Sequence, residues 1–312
     1  LDVRNGEKQV VMEQLKVLVD SDKERKQTNH QLRIQSDYLT ANISGDFQYQ
    51  TLPATIQGFL HQYLPALVEK PKQQNKQPNN VGFYAYFREL EKITEALDMD
   101  VHFPSYPTVK GYINEEYNSL GLQAYIPKIR TSTAQMEDLT IEMNNELDAL
   151  DLSVYVFNRL PKKNPTAAKI GDVKAHMNLT ARENELDMTI SLDNTDSIRN
   201  AGEIQVGALL QQYNNKPQAN IHIQPTEIVL NDSIWTINES DIIYTVAEKK
   251  MDIHSFSINT DFQRIAANGI ASTDPNDSIE VELQNIDLQY LLGYTEASKA
   301  ISVQGPLSGW AK

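Results

Sequence analysis

The sequence of 312 residues contains no cysteine and no apolar run long enough for a transmembrane helix. The first absence excludes disulfide bonds, cysteine metal sites and thiol catalysis. The second excludes a helix that crosses a bilayer, which needs about 20 mainly apolar residues. The sequence also begins without a methionine and shows no signal peptide. We interpret it as a fragment of a longer protein.

Positive charge is scarce as well. The sequence contains 28 lysine and arginine residues and 42 aspartate and glutamate residues, so the formal net charge is −14. Proteins that bind nucleic acid need a basic patch to contact the phosphates. We therefore exclude nucleic acid as a partner.

Signatures of catalysis and of metal binding are missing too. The six histidines include no pair at i,i+4 spacing and no Glu-x-x-His pair. The aspartate-rich stretches 193–196, 239–241 and 274–277 do not match a calcium loop and are typical of turns. There is no G-x-S-x-G, P-loop or dinucleotide-binding motif. We expect no catalytic residue, no metal ligand, no cofactor and no enzymatic activity.

The chain is rich in alternating apolar and polar residues. In the stretch from Leu32 to Leu67, a row of alternate apolar residues is followed by a helical pattern. The apolar row predicts a half-buried strand, because successive side chains of a strand point to opposite faces. Gly45 interrupts the row, which indicates a bulge or a close backbone approach. The members of the row are Leu39, Ala41, Ile43, Phe47 and Tyr49.

Two helices are predicted. The first spans residues 52–69, with Thr51 as N-cap and Pro53 in the first turn. Its predicted apolar stripe contains Ile56, Phe59, Leu60, Tyr63, Leu64 and Leu67. The second spans residues 88–97, with Leu90, Ile93 and Leu97 facing inward.

These patterns divide the chain into two regions. Residues 1–117 are predicted to contain strands and both helices, and residues 118–312 a continuous β-rich segment. Two alternating runs, Val173–Leu179 and Leu186–Leu192, predict a hairpin with matched faces. We predict a mainly β, antiparallel fold with one or two amphipathic helices. The aromatic residues are expected to pack in the core.

An apolar face on so many strands must be covered. In a β-sandwich, two sheets bury each other's apolar faces. In the alternative, a sheet curls lengthwise into a trough whose inner wall stays partly uncovered for an apolar ligand. Alternation predicts both equally well, and the sandwich is the commoner solution.

Two stretches of the sequence resemble the TamB family of the translocation and assembly module, which belongs to the AsmA-like group. The resemblance is to the form typical of Bacteroidetes. The similar elements are the S-D-Y strand at Ser36–Tyr38, the S-G-D-F bend at Ser44–Phe47 and the helix ending at Leu67. A second similar stretch, Ile221–Leu292, contains Trp235, the bend at Asn268–Gly269 and a D-S-I-x-V-x-L strand. The region Pro71–Tyr117 departs from the pattern, and its helix is interpreted as an insertion.

The resemblance implies an elongated, curled antiparallel sheet, a β-taco-like trough with an apolar interior. It also implies a periplasmic protein of a Gram-negative bacterium, anchored in the inner membrane, that works with an outer-membrane barrel of the BamA/TamA type. The implied ligand is phospholipid moving between the two membranes. The residues expected to line the groove wall are Leu39, Ile43, Phe47, Val173, Met177, Leu186, Met188, Ile190, Ile279, Val281 and Leu283.

Two other functions remain open at this stage. A scaffold for outer-membrane protein assembly would present a free strand edge to its client. A structural or carbohydrate-binding β-sandwich would have a filled interior and exposed aromatic residues.

Overall fold

The alternating residues form antiparallel strands in the computed structural model. The structure describes residues 2–5, 8–22, 29–72, 77–131, 135–159, 172–194, 198–287 and 305–311. Strands account for 63% of the structure, against roughly 20–25% in an average globular protein. The prediction of a mainly β, antiparallel fold with few helices is confirmed.

The chain divides into two compact units, Leu1–Pro161 and Lys162–Lys312, called unit 1 and unit 2 below. In unit 1, a hairpin of β1 and β2 precedes eight strands, β3 to β10, that pair antiparallel in sequence order. The strands are β1 Asp2–Asn5, β2 Lys8–Val11, β3 Leu15–Asp22, β4 Asn29–Ser36, β5 Leu39–Asp46, β6 Asn80–Phe87, β7 Thr108–Asn114, β8 Ser119–Arg130, β9 Gln135–Asn144 and β10 Leu150–Arg159. The predicted boundary at residues 117/118 lies in the turn between β7 and β8.

Two α-helices of unit 1 lie in the described residues. Helix α1, Leu52–Tyr63, joins β5 to β6 and ends before residue 69, because Leu64 precedes Pro65 and has left the helical conformation. Helix α2, Leu90–Ala96, follows β6 and starts after Glu89, whose φ of 47° is left-handed. No helix within the described ranges has the length and apolar character needed to cross a membrane.

The buried side of α1 agrees with the predicted stripe at Phe59 and Tyr63 and differs from it at other positions. Thr55, Phe59 and Tyr63 are buried, whereas Ile56 is 47% exposed and Leu67 is 48% exposed. Leu97, which follows the last residue of α2, is likewise 53% exposed rather than inward. A hydrogen bond accounts for the burial of Thr55, because Asn79 Nδ2 donates to Thr55 Oγ1 at 2.7 Å.

Unit 2 contains a longer and less regular antiparallel sheet. Its strands are β11 Val173–Arg182, β12 Glu185–Asn194, β13 Ala201–Tyr213, β14 Lys216–Ile223, β15 Thr226–Leu230, β16 Ser233–Ile237, β17 Ser240–Thr245, β18 Lys250–Asn259, β19 Arg264–Ala271, β20 Ile279–Asp287 and β21 Pro306–Ala311. The predicted hairpin is confirmed as β11–β12, with Met177 paired to Ile190.

The β15–β16 hairpin departs from simple strand order. Along part of its length β13 pairs with β14, which pairs with β17 and then β18. At the other end, β13 pairs with β15 through Ala201 and Gly202, while β16 pairs with β18 through Thr236 and Ile237. The hairpin therefore continues the sheet beyond the ends of β14 and β17.

Candidate functional site

One face of the unit 1 sheet is an apolar wall. Directly paired residues of neighbouring strands point to the same face, so the strand register defines rows that cross the sheet. Two such rows cross all strands from β3 to β10 and contain only apolar residues and one glycine. The first row is Val17, Ile34, Ala41, Ala85, Val109, Ala124, Ile141 and Val154. The second is Val19, Leu32, Ile43, Phe83, Gly111, Leu122, Met143 and Leu152.

These two rows, the unit 1 wall, are not sealed from solvent. Ala124 is the only buried residue in them. Val17 is 50% exposed and Val19 is 64% exposed, and the others are half-buried. A closed hydrophobic core would bury such side chains almost completely. The wall therefore keeps apolar surface that an apolar ligand could cover.

Gly111 has a defined role in this wall. A Cβ atom at Gly111 would lie 2.6 Å from Cζ of Phe83, because the phenylalanine ring occupies the space above the glycine. The missing side chain lets the ring continue the apolar surface across β7.

Unit 2 has a corresponding apolar row. It crosses β11 to β14 and β17 to β20, and the residues beyond Ala181 are all half-buried. At a strand spacing of about 4.8 Å, eight strands extend for about 34 Å, more than the hydrocarbon thickness of a bilayer at about 30 Å. This row, the unit 2 wall, consists of Ala181, Leu186, Ala208, Ile221, Ile242, Ile253, Gly269 and Ile279.

The residues predicted from the sequence to line the groove fall into three groups. Leu39, Ile43 and Phe47 belong to β5 or follow it directly in unit 1. The second group lies on the β11–β12 hairpin, where Met177 faces Ile190, and comprises Val173, Met177, Leu186, Met188 and Ile190. The third lies on β20 and comprises Ile279, Val281 and Leu283. The unit 2 wall connects the second and third groups, because Leu186 and Ile279 are members of the same row.

Phe47 differs from the other predicted wall residues. It is 2% exposed and lies beyond the end of β5, with its ring 5.6 Å from His30 and 4.9 Å from Tyr49 between centroids. Nearby, Gly45 has a φ of 142°, and a Cβ there would lie 2.0 Å from the carbonyl oxygen of Asn80. The close backbone approach predicted at Gly45 is confirmed.

Helix α1 is held to this end of unit 1 by hydrogen bonds from two asparagine side chains, of which Asn79 is buried. The side chain of Asn79, which has no exposed surface, accepts from the backbone N–H of Gln48 at 2.8 Å and donates to Thr55. At the other end of the helix, Asn145 Nδ2 donates to the hydroxyl of Tyr63 at 3.0 Å. We call this region the α1 end.

At one end of the unit 2 sheet, the apolar side chains pack against one another and are buried. The centre of this packing consists of Ile228, Trp235, Ile237 and Ile286, which are at most 9% exposed. Leu283, one of the predicted wall residues, packs against them. We call this region the tryptophan cluster. It closes the apolar face where the β15–β16 hairpin extends the sheet.

One group of described side chains has the spacing of metal ligands. His102 Nδ1 lies 3.4 Å from Glu91 Oε1, and Glu95 completes a set whose donor atoms lie within 4.8 Å of one another. Both carboxylates and the imidazole are accessible to solvent, as in a surface ion pair. Glu91 and Glu95 belong to α2, and none of the three residues is a member of either wall.

Comparisons with known proteins leave function to be inferred from these residues. No protein-family model matches the chain, and no curated protein or solved structure matches it.

The sequence prediction omitted the central residues of both walls. Phe83, Leu122 and Met143 continue the wall from Ile43, and Ile221 and Ile242 connect Leu186 to Ile253. Their alternation with polar neighbours was the available signal. Alternation does not predict the register between strands, and the register decides which residues share a row.

Proposed function

We propose that this chain is a segment of a periplasmic, bridge-like protein whose apolar groove carries phospholipid between the inner and outer membranes. The observation that supports this most directly is the apolar wall that crosses eight strands in each unit and consists mostly of half-buried residues. A hydrocarbon chain gains about 0.8 kcal/mol for each CH2 group that it buries. Because the row is uninterrupted from strand to strand, an acyl chain that moves across the strands exchanges one apolar contact for the next.

The resemblance to the TamB family supports the same proposal. It supplies the periplasmic location, the inner-membrane anchor and the outer-membrane barrel of the BamA/TamA type as partner. The chemistry of a conduit needs no acid, base or nucleophile, only a wall that excludes water from the acyl chains.

The test uses a matched pair of substitutions on β12. Ile190 is half-buried on the apolar face between Met177 and Ile204, and Thr189 is half-buried on the opposite face between Asn178 and Gln205. Ile190→Asp places a charge on the apolar face of β12, the face that also carries the unit 2 wall, whereas Thr189→Asp places the same charge on the polar face. Far-UV circular dichroism tests whether both variants keep the sheet, which we expect.

The measurement is native mass spectrometry of protein purified from a bacterial host, with lipid extraction of the same sample. We expect phospholipid with the wild type and with Thr189→Asp, and a clear reduction with Ile190→Asp. Val281→Asp, on the apolar face of β20, is expected to behave like Ile190→Asp. The proposal is wrong if the wild type takes up neither lipid nor detergent. It is also wrong if Ile190→Asp and Thr189→Asp lose the same amount of bound phospholipid.

A further inference from the structure

The polar face of unit 1, opposite the wall, contains a groove of about 550 Å³ that crosses β5 to β9. Two rows of paired residues on this face form it, and Phe83, Gly111, Leu122 and Met143, which lie between these rows along the strands, also line it. One row is Asn42, Tyr84, Lys110, Gln123 and Glu142. The next contains Gly82, Tyr112 and Gly121. Across four strand spacings the groove extends for about 19 Å, so it suits an elongated ligand. We call it the tyrosine groove.

Gly82 keeps the groove open without an evident structural need. A glycine inside a strand is destabilising relative to alanine and often marks the close approach of a ligand. A Cβ at Gly82 would meet nothing nearer than the Gly111 carbonyl oxygen at 4.0 Å, and Gly82 is not among the residues with positive φ. Neither packing nor backbone conformation requires glycine there.

The other groove glycine supports an aromatic ring. A Cβ at Gly121 would lie 2.5 Å from Cε1 and 3.0 Å from Cζ of Tyr112, so the tyrosine ring lies over the glycine backbone. Tyr112 is nevertheless 49% exposed, and Tyr84 in the adjacent row is 44% exposed. One side of the Tyr112 ring is thus fixed against the sheet, while much of the ring remains open to solvent.

The polar groups of the groove are partly fixed and partly unused. Gln123 Nε2 donates to Glu142 Oε1 at 2.6 Å, which holds the amide and the carboxylate in place. The side chains of Tyr84, Tyr112 and Lys110 form no hydrogen bond or ion pair with any described residue. One lysine and one glutamate line the groove, so it is formally neutral in a chain of charge −14.

This combination restricts the class of ligand. An extended peptide that binds by adding a strand needs an unpaired strand edge, but β5 to β9 are paired on both sides. Side chains alone must therefore recognise the ligand. Exposed aromatic rings suit the apolar faces of sugar rings, and hydroxyl, amide, carboxylate and ammonium groups suit their hydroxyls. We propose that the tyrosine groove binds a linear, uncharged oligosaccharide.

The experiment uses the whole chain and three probes, cellotetraose, tetra-N-acetylchitotetraose and maltotetraose. Saturation-transfer NMR detects binding at millimolar sugar, and calorimetry gives the affinity of any probe that binds. We expect at least one tetrasaccharide to bind. Tyr112→Ala is expected to weaken it by about tenfold or more, in line with the effect of removing an aromatic stacking partner.

Two further variants make the test specific to the groove. Gly82→Val fills the open space with a residue that favours strands, so it should keep the fold and abolish binding. Tyr155→Ala removes a tyrosine that is 38% exposed, lies in a neighbouring row of the same face and does not line the groove. It should leave binding unchanged.

The proposal is overturned if none of the three tetrasaccharides binds the wild type. It is equally overturned if Gly82→Val binds as the wild type does, or if Tyr155→Ala weakens binding as much as Tyr112→Ala. A tetra-alanine peptide that binds in place of the sugars would also overturn it. Gly82 and Tyr112 are not members of the unit 1 wall, but Phe83, Gly111, Leu122 and Met143 of the wall also line the groove. Phospholipid extraction of the same variants therefore accompanies the sugar titration, and sugar binding lost with phospholipid retained distinguishes this site from the lipid groove.

Discussion

The α1 end of unit 1 is held by polar groups, whereas the tryptophan cluster of unit 2 is held by apolar packing. At the α1 end, buried Asn79 connects the end of β5 to the first turn of the helix through hydrogen bonds of 2.7 to 3.0 Å. In unit 2, Trp235 is 7% exposed and packs among isoleucine side chains of the hairpin and neighbouring strands.

The difference shows how two elements of different type can be fixed to similar sheets. A helix that crosses the end of a sheet meets strand ends with unused backbone groups, and a buried amide satisfies several of them. The backbone N–H and C=O groups of a hairpin that continues the sheet are already hydrogen-bonded to neighbouring strands. Further stabilisation of the hairpin therefore comes from side-chain packing. We therefore expect the α1 end to respond to changes in hydrogen bonding, and the tryptophan cluster to changes in volume.

The largest expected effect is at Trp235. Trp235→Ala should lower the free energy of unfolding of unit 2 by about 3–5 kcal/mol, because it leaves a cavity in a buried cluster. Hydrogen exchange should accelerate in β15, β16 and β18 while β5 to β8 stay unchanged. Ile234→Ala, on the same strand but 60% exposed, is the matched control and should have little effect. Equal destabilisation by both substitutions would contradict a packed cluster.

The next largest is at Asn79. Asn79→Ala should cost about 3 kcal/mol, because it removes the acceptor of the backbone N–H of Gln48 and the hydrogen bonds that Asn79 donates to Thr51 and Thr55. Exchange of the amides in the first turn of α1 reports the change. The neighbouring Asn80 is exposed, so Asn80→Ala should be nearly neutral. If Asn79→Leu, which restores volume but no hydrogen bonds, were as stable as the wild type, packing rather than polarity would hold this end.

A smaller effect is expected at the other end of the helix. Tyr63→Phe removes the acceptor of the Asn145 hydrogen bond, but Asn145 Nδ2 also donates to the carbonyl oxygen of Asn118 at 2.7 Å. The expected cost is about 1 kcal/mol, at the size of an ordinary hydrogen bond. Thermal unfolding followed by circular dichroism measures it. If Tyr63→Phe lowered the stability as much as Asn79→Ala does, the prediction that the Asn79 hydrogen bonds contribute more than the Asn145–Tyr63 hydrogen bond would be wrong.

The strands of both units could be predicted because their signal is local. Side-chain alternation depends only on the strand itself, so the β11–β12 hairpin and the apolar face of β5 were predicted from their residues. The insertion of β15–β16 between β13 and β18 could not be predicted, because it depends on pairing between distant residues. The register of the wall rows depends on the same distant pairing.

The aromatic residues show a second limit. They were expected in the core, and for Phe47, Phe59 and Tyr63 that is correct. Tyr84, Tyr112, Tyr125 and Tyr155 instead lie on the polar face of unit 1, and each is between 38% and 49% exposed. A tyrosine suits both faces of a strand, because its ring packs and its hydroxyl stays in water. Tyr125 illustrates this, since its hydroxyl donates to Asp138 at 2.8 Å and the hydrogen bond raises its pKa.

The smallest expected effect tests the face of α1 that the sequence misassigned. The helical spacing favoured Ile56 as an inward residue, but the hydrogen bond from Asn79 turns Thr55 inward and leaves Ile56 47% exposed. Ile56→Ala should therefore cost no more than about 0.5 kcal/mol, as for other surface substitutions. The same change at Ile237, 5% exposed in the tryptophan cluster, should cost about 2–5 kcal/mol. Urea denaturation of both variants measures the contrast, and a similar cost at the two positions would show that α1 buries the predicted stripe after all.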